Sequence, residues 1–266
     1  DWGFAGFVMS DWIFGTHDTV AAAHAGLDLE MPFERIYGAP LLDAVNAGEV
    51  DSALLDDMLR RRLRAMYCHG LDSDPPRPDA AQLETSAART LAREAAERSL
   101  VLLANVNNAL PLPRAAGRTI VVTGPLAEAR NLGDTGSSDV DTSMVVTPLF
   151  GMRENAGAAT IQYLPAGPVD DPAKAAIAGA DAVVVFVGLT AEDEGEGLVG
   201  AGDRPALGLH AADVALIRSL TALSSRVVVV IEGGSAITMD DFLADVQAVL
   251  FAWYPGAEGG TAANPS

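Results

Sequence analysis

Four apolar runs constrain this chain more than any other feature: residues 119–123 (TIVVT), 182–187 (AVVVFV), 227–231 (VVVVI) and 246–252 (VQAVLFA). The valine-rich ones show no alternation of apolar and polar positions, so they suit strands covered on both faces rather than strands with one face in water. Amphipathic stretches predicted to be helical lie between several of them, at residues 148–155, 172–178 and 211–223. Strand and helix in alternation predict an α/β fold with a mostly parallel sheet and helices on both sides. Residues 85–99 add a helix, and residues 100–103 and 160–164 add two shorter strand candidates.

The N-terminal part reads differently. Residues 4–9 and 27–32 are short strand candidates, the second closed by Pro32, and helices are predicted at 16–25, 39–48 and 52–67. In the last helix Leu54, Leu55, Met58, Leu59, Leu63 and Met66 fall at helical spacing, while Arg60, Arg61, Arg62 and Arg64 form a solvated face. Residues 72–79 (DSDPPRPD) contain three prolines and nothing that packs a core, which marks a linker. The expected organisation is a first domain at 1–70, a linker at 71–82 and a second domain at 83–266.

Composition excludes several functions. The net charge is −19, from 36 acids against 17 bases, which opposes binding to nucleic acid or to an anionic membrane surface. A hydrophobic share of 49% nevertheless supports a globular core, and no apolar run reaches the ~18 residues of a membrane span. Cys68 is the single cysteine, so neither an internal disulfide nor a multi-cysteine zinc site is available. His17, His24, His69 and His210 are scattered, and neither HExxH, GxxxxGK[ST] nor GxSxG occurs. No metal or cofactor is expected. The start, Asp1-Trp2-Gly3-Phe4, shows neither an initiator methionine nor a leader pattern, so the chain reads as a piece of something longer and gives no localisation.

Two sets of acids stand out. Glu192, Asp193, Glu194 and Glu196 lie in a glycine-rich segment just past the strand at 182–187, the edge at which open α/β sheets bind ligands. A solvated acidic loop explains them equally well. Gly195–Gly200 fits GxGxxG by letter, but it is displaced from the strand and holds an acid where a pyrophosphate would sit. Asp11 follows an apolar strand candidate and precedes Trp12. An acid at the C-terminal end of a barrel strand suits catalysis, and an indole beside it suits the C–H face of a sugar; the alternative for Asp11 is a helix N-cap.

These segments carry a resemblance. Residues 2–12 (WGFAGFVMSDW) with 25–32 (AGLDLEMP) resemble the nucleophile segment of family 3 glycoside hydrolases, the β-glucosidase-like enzymes. Residues 100–105 and 110–112, the loop 133–140 with 147–149, Glu194–Gly197 with Gly202-Asp203-Arg204 and 207–209, and residues 252–260 (AWYPGAEGG) are similar, in order, to segments of that family's second domain. The resemblance implies the end of a (β/α) barrel followed by an (α/β) sandwich, together acting as a retaining exo-β-glycosidase on a neutral small-molecule or oligosaccharide substrate. By motif position Asp11 is the nucleophile, Glu196 the acid/base, with Glu194 as its rival, and Trp12 part of the sugar site. Such an enzyme needs one ionised and one protonated carboxyl, and the crowded acids at 192–196 are expected to raise the acid's pKa. Most of the family's barrel and its sugar-holding residues are absent and both ends look cut, so this chain alone is expected to be nearly inactive, with the missing barrel segment as its natural partner. The competing expectation is a non-catalytic carbohydrate-binding or interaction domain.

Overall fold

The structure, a computed structural model, describes residues 3–133, 135–196 and 204–262. The chain divides into two compact units, Asp1–Asp79 and Ala80–Ser266, and the division falls at the end of the proline-rich stretch.

The first unit holds helices α1 (Thr19–Ala25), α2 (Gly38–Asn46) and α3 (Ser52–Cys68). α1 starts later than its alanine-rich sequence suggests because Asp18 caps it, accepting the Ala21 N–H at 2.7 Å, and Gly26 ends it in the left-handed conformation. Ala23, Leu27, Ile36, Tyr37, Ala44, Val50 and Met58 form the small core of this unit. The strand candidates at 4–9 and 27–32 form only one parallel bridge, Met9 to Leu29. No third strand pairs with them among the described residues, and a two-strand pair is marginal in water. Side chains complete the tie: Asp28 accepts the Val8 N–H at 2.7 Å and Ser10 Oγ accepts the Met31 N–H at 2.9 Å.

The second unit is built on β1 (Val101–Asn105), β2 (Thr119–Thr123), β3 (Thr160–Tyr163), β4 (Ala182–Gly188), β5 (Val227–Glu232) and β6 (Ala248–Trp253). Its helices are α4 (Ser86–Ser99), α5 (Pro148–Glu154), α6 (Asp171–Gly179), α7 (Ala191–Glu194), α8 (Ala211–Thr221) and α9 (Gly259–Ala262). The sheet order is β1-β6-β5-β4-β2-β3, parallel throughout except for β1, which pairs antiparallel with β6. Every residue of β4 and β5 is buried. Phe186, Val184, Val228 and Val230 pack on one face with Leu149 and Met152, while Val183, Val185, Val229 and Ile231 pack on the other with Ile177, Ile217 and Phe242. The mostly parallel α/β architecture read from the four runs is therefore the observed one. No described helix is long and apolar enough to cross a membrane.

Candidate active site

The sheet order places a topological switch between β2 and β4. From β2 the chain moves outward to β3, and then returns to β4 on the other side and continues to β5 and β6. Loops leaving neighbouring strands part there and open a crevice at the C-terminal edge. The backbones close tightly beneath it. A Cβ on Gly124 would lie 2.1 Å from the Phe186 carbonyl oxygen, and one on Gly188 would lie 1.9 Å from that of Glu232, so only glycine fits at either turn.

The segment after β4, read from sequence as a loop, contains α7, one turn long. It forms because Thr190 and Asp193 make a capping box: Thr190 Oγ1 accepts the Glu192 N–H at 3.2 Å, and Asp193 Oδ2 accepts the Thr190 N–H at 2.8 Å. His210 Nε2 lies 2.7 Å from Asp193 Oδ1 and ties the turn to the start of α8. Burial alone would raise the Asp193 carboxyl, but the Thr190 and His210 hydrogen bonds outweigh it and hold the group below its usual range.

The acids separate sharply in their surroundings. Glu192 is exposed. Glu194 is drawn inward and saturated with donors. Oε2 accepts the Gly234 N–H at 2.7 Å and the Tyr254 hydroxyl at 2.7 Å, Oε1 accepts the Ser235 hydroxyl, and Arg204 Nε pairs with it at 3.3 Å. Burial would raise its pKa, but Ser235, Tyr254, Gly234 and the Arg204 charge reverse that and lower it. Glu196 is exposed, and Oε2 accepts both the hydroxyl and the N–H of Ser137, the latter at 2.9 Å. Those Ser137 bonds lower its pKa too. The expectation that crowding raises the acid's pKa is thus overturned, because Asp193, Glu194 and Glu196 each found their own donors.

Sequence reasoning placed Arg204, Tyr254 and the 133–140 loop in matching segments without giving them roles. Their partnership with Glu194 and Glu196 spans 40 residues or more in every case but Arg204, so no local pattern carries it. The GxGxxG match also loses its context: Gly195 follows α7 rather than the turn out of β4, and its remaining positions, from residue 197 on, lie outside the described residues. No group of three His, Cys, Asp or Glu side chains gathers to hold a metal among the described residues.

In the first unit, Asp11 is exposed one residue after the buried Ser10. It caps no helix, since α1 begins at Thr19 under Asp18. Trp12 and Ile13 follow in the left-handed region (φ 49° and 52°), a costly conformation for a β-branched residue, and Trp12 is 46% exposed. The turn is held by the Ser10 N–H on the Leu29 carbonyl at 2.9 Å and the Ile13 N–H on the Met31 carbonyl at 3.3 Å.

Comparison with known proteins agrees with this architecture. The family model for the glycosyl hydrolase family 3 C-terminal domain matches residues 100–264. An exo-α-(1→6)-L-arabinopyranosidase from Bifidobacterium longum is 31% identical over 98% of the chain. A β-D-glucoside glucohydrolase from Trichoderma reesei superposes with a TM-score of 0.82 at 29% identity, again over 98% of the chain. So does a β-glucosidase from Listeria innocua, solved in complex with glucose, with a TM-score of 0.82 at 26% identity. The chain spans 35% of the first of these proteins, 40% of the second and 38% of the third. With the family model matching more than half of its length, the chain belongs to glycosyl hydrolase family 3.

Proposed function

We propose that the chain comes from a retaining, exo-acting β-glycosidase that removes terminal non-reducing β-linked sugars through a covalent glycosyl-enzyme intermediate. In this reading residues 1–70 are the end of a (β/α) barrel, 71–82 the linker and 83–266 the sandwich domain. Asp11 attacks the anomeric carbon, Glu196 protonates the leaving oxygen and then activates water, and Trp12 packs on the sugar ring. The glucose in the complex of the Listeria β-glucosidase and the arabinopyranose named for the Bifidobacterium relative support a reading of neutral pyranosides as the substrate class.

The observation that carries the choice of acid is the contrast between the two glutamates. Glu194 is engaged by Gly234, Ser235, Tyr254 and Arg204, an arrangement that keeps a carboxylate ionised and in place. Such a group makes a poor proton donor. Glu196 reaches solvent, where its carboxyl, once protonated, turns from the Ser137 donors to donate to a substrate oxygen. The Ser137 bonds favour the ionised form, which suits the base role in the second step; taking up a proton for the first step means giving up those bonds.

The test uses the intact parent enzyme. A 2-fluoro-glycoside should leave its label on the peptide containing Asp11, and a label elsewhere removes the nucleophile assignment. Glu196→Ala should slow substrates with poor leaving groups most and be partly rescued by azide; the same pattern in Glu194→Ala would move the acid/base by two residues. The 266-residue chain by itself should turn over aryl β-glycosides barely above background, and robust turnover would contradict that reading.

A further inference from the structure

Glu232 ends β5, between the ends of β4 and β6, and is 1% exposed. Its Oε2 accepts a hydrogen bond from Asn131 Nδ2 at 2.9 Å, while Oε1 has no hydrogen-bond partner among the described residues. The same Asn131 nitrogen donates to the Leu189 carbonyl at 3.0 Å. One amide group, with its two hydrogens, therefore joins the loop after β2 to the end of β5 and to the first residue beyond β4. Leu189 also donates its N–H to the Glu232 carbonyl at 2.9 Å, and Gly188 lies against that carbonyl with no room for a side chain. Leu189 immediately precedes Thr190, which caps α7.

An ionised carboxylate with one amide donor and one orphaned oxygen would be strongly disfavoured here. Burial pushes Glu232 up to about 8, with the Asn131 bond opposing. The titratable groups on the adjoining elements are Asp213, which accepts from the Gly188 N–H, Asp193 with His210, Glu194 with Arg204, and Tyr254 after β6. Each is held by its own bonds, and no described ion pair reaches Glu232.

We propose that Glu232 and Asn131 form a positioning pair that holds the Leu189 carbonyl, and through it α7 with Glu194 and Glu196, against the end of β5. The pair touches neither substrate nor reacting atoms; it acts through the loop, and its importance for catalysis rests on the reading of Glu196 as acid/base. The Asn131 bond is available to Glu232 in either protonation state and is stronger to the carboxylate, while burial and the unpartnered Oε1 favour the neutral acid.

The 266-residue chain itself supports the test, by amide resonances rather than turnover. The Asn131 side-chain amide signals should titrate with a midpoint near 8 in the native protein and stay flat in E232Q. N131A should speed hydrogen exchange at residues 190–195 roughly five- to tenfold, the effect of one lost hydrogen bond, while β1 amides stay unchanged. Glu232→Ala, which removes the acceptor, should speed exchange in the same loop, whereas E232Q, whose amide oxygen still accepts from Asn131, should leave it protected. Asn131 signals that do not titrate in the native chain, or a loop indifferent to N131A, would overturn the proposal. Neither readout depends on activity, so failure of the Asp11 and Glu196 assignments would leave both standing.

Discussion

The two units hold their carboxylates in different ways. In the second unit, β4 and β5 are buried along their whole length and lift a one-turn helix to the sheet edge, where Glu194 is bound by four donors. In the first, Asp11 rests on a single bridge, Met9 to Leu29, and on side-chain ties from Ser10 and Asp28. Phe4, Val8, Met9 and Phe14 around it are all more than 40% exposed. A carboxylate on a finished sheet is positioned by covalent chain and core packing together; one on an isolated pair depends on a handful of polar contacts.

The sharpest way to break this comparison is to damage the sheet. Phe186→Ala removes a fully buried ring from one side of β4 and should cost about 3–5 kcal/mol in denaturant unfolding of the second unit. The first-unit signal should be unchanged; a loss shared by both would show that the units unfold as one. Next in size is Glu232→Gln. Its folded value of about 8 stands above the ordinary 4.5, so the native sheet holds a proton that the unfolded chain releases, and stability falls as pH rises from 4.5 to 8. At pH 7 the glutamine variant should be more stable than the native chain by ~3 kcal/mol, with the gap closing below pH 4.5. A variant less stable at neutral pH would mean that the buried carboxyl is charged.

Smaller effects test single contacts in each unit. Asp18→Ala removes the cap of α1 and should cost about 1 kcal/mol, read as faster amide exchange in α1 with no change in the sheet. Smallest is Ser137→Ala, which takes one donor from Glu196. The Glu196 carboxyl carbon should then titrate at a higher pH, because a bond to its ionised form is gone. An unmoved titration would show that the Ser137 hydroxyl does not hold the carboxylate.

Much of the sheet was legible because its strands are local and redundant. A run such as Val227–Ile231 has no polar position to offer water, so burial on both faces is its one stable outcome. The segment at 27–32 alternates apolar residues with Asp28 and Glu30, and there the strand reading failed: one bridge formed, and the rest is held by Glu30, which accepts the N–H groups of Arg35, Ile36 and Tyr37. A strand needs a neighbour, and a neighbour is not a property of the segment. The candidate site divides in the same way. Asp11, Trp12, Glu194 and Glu196 were named from motif and position. Ser137, Ser235, Tyr254, Asn131 and Glu232 gained their parts from contacts between loops far apart in the chain.

The sequence by itself determined the buried parallel sheet and the family of the chain, because hydrophobic continuity and motif order are written along the backbone. Only the tertiary structure decided which acids are held ionised, which one is pushed up to about 8, and what grips the loop between β4 and α8. Protonation follows from the donors and the water that surround a group in space, and those are settled when the loops at the sheet edge meet.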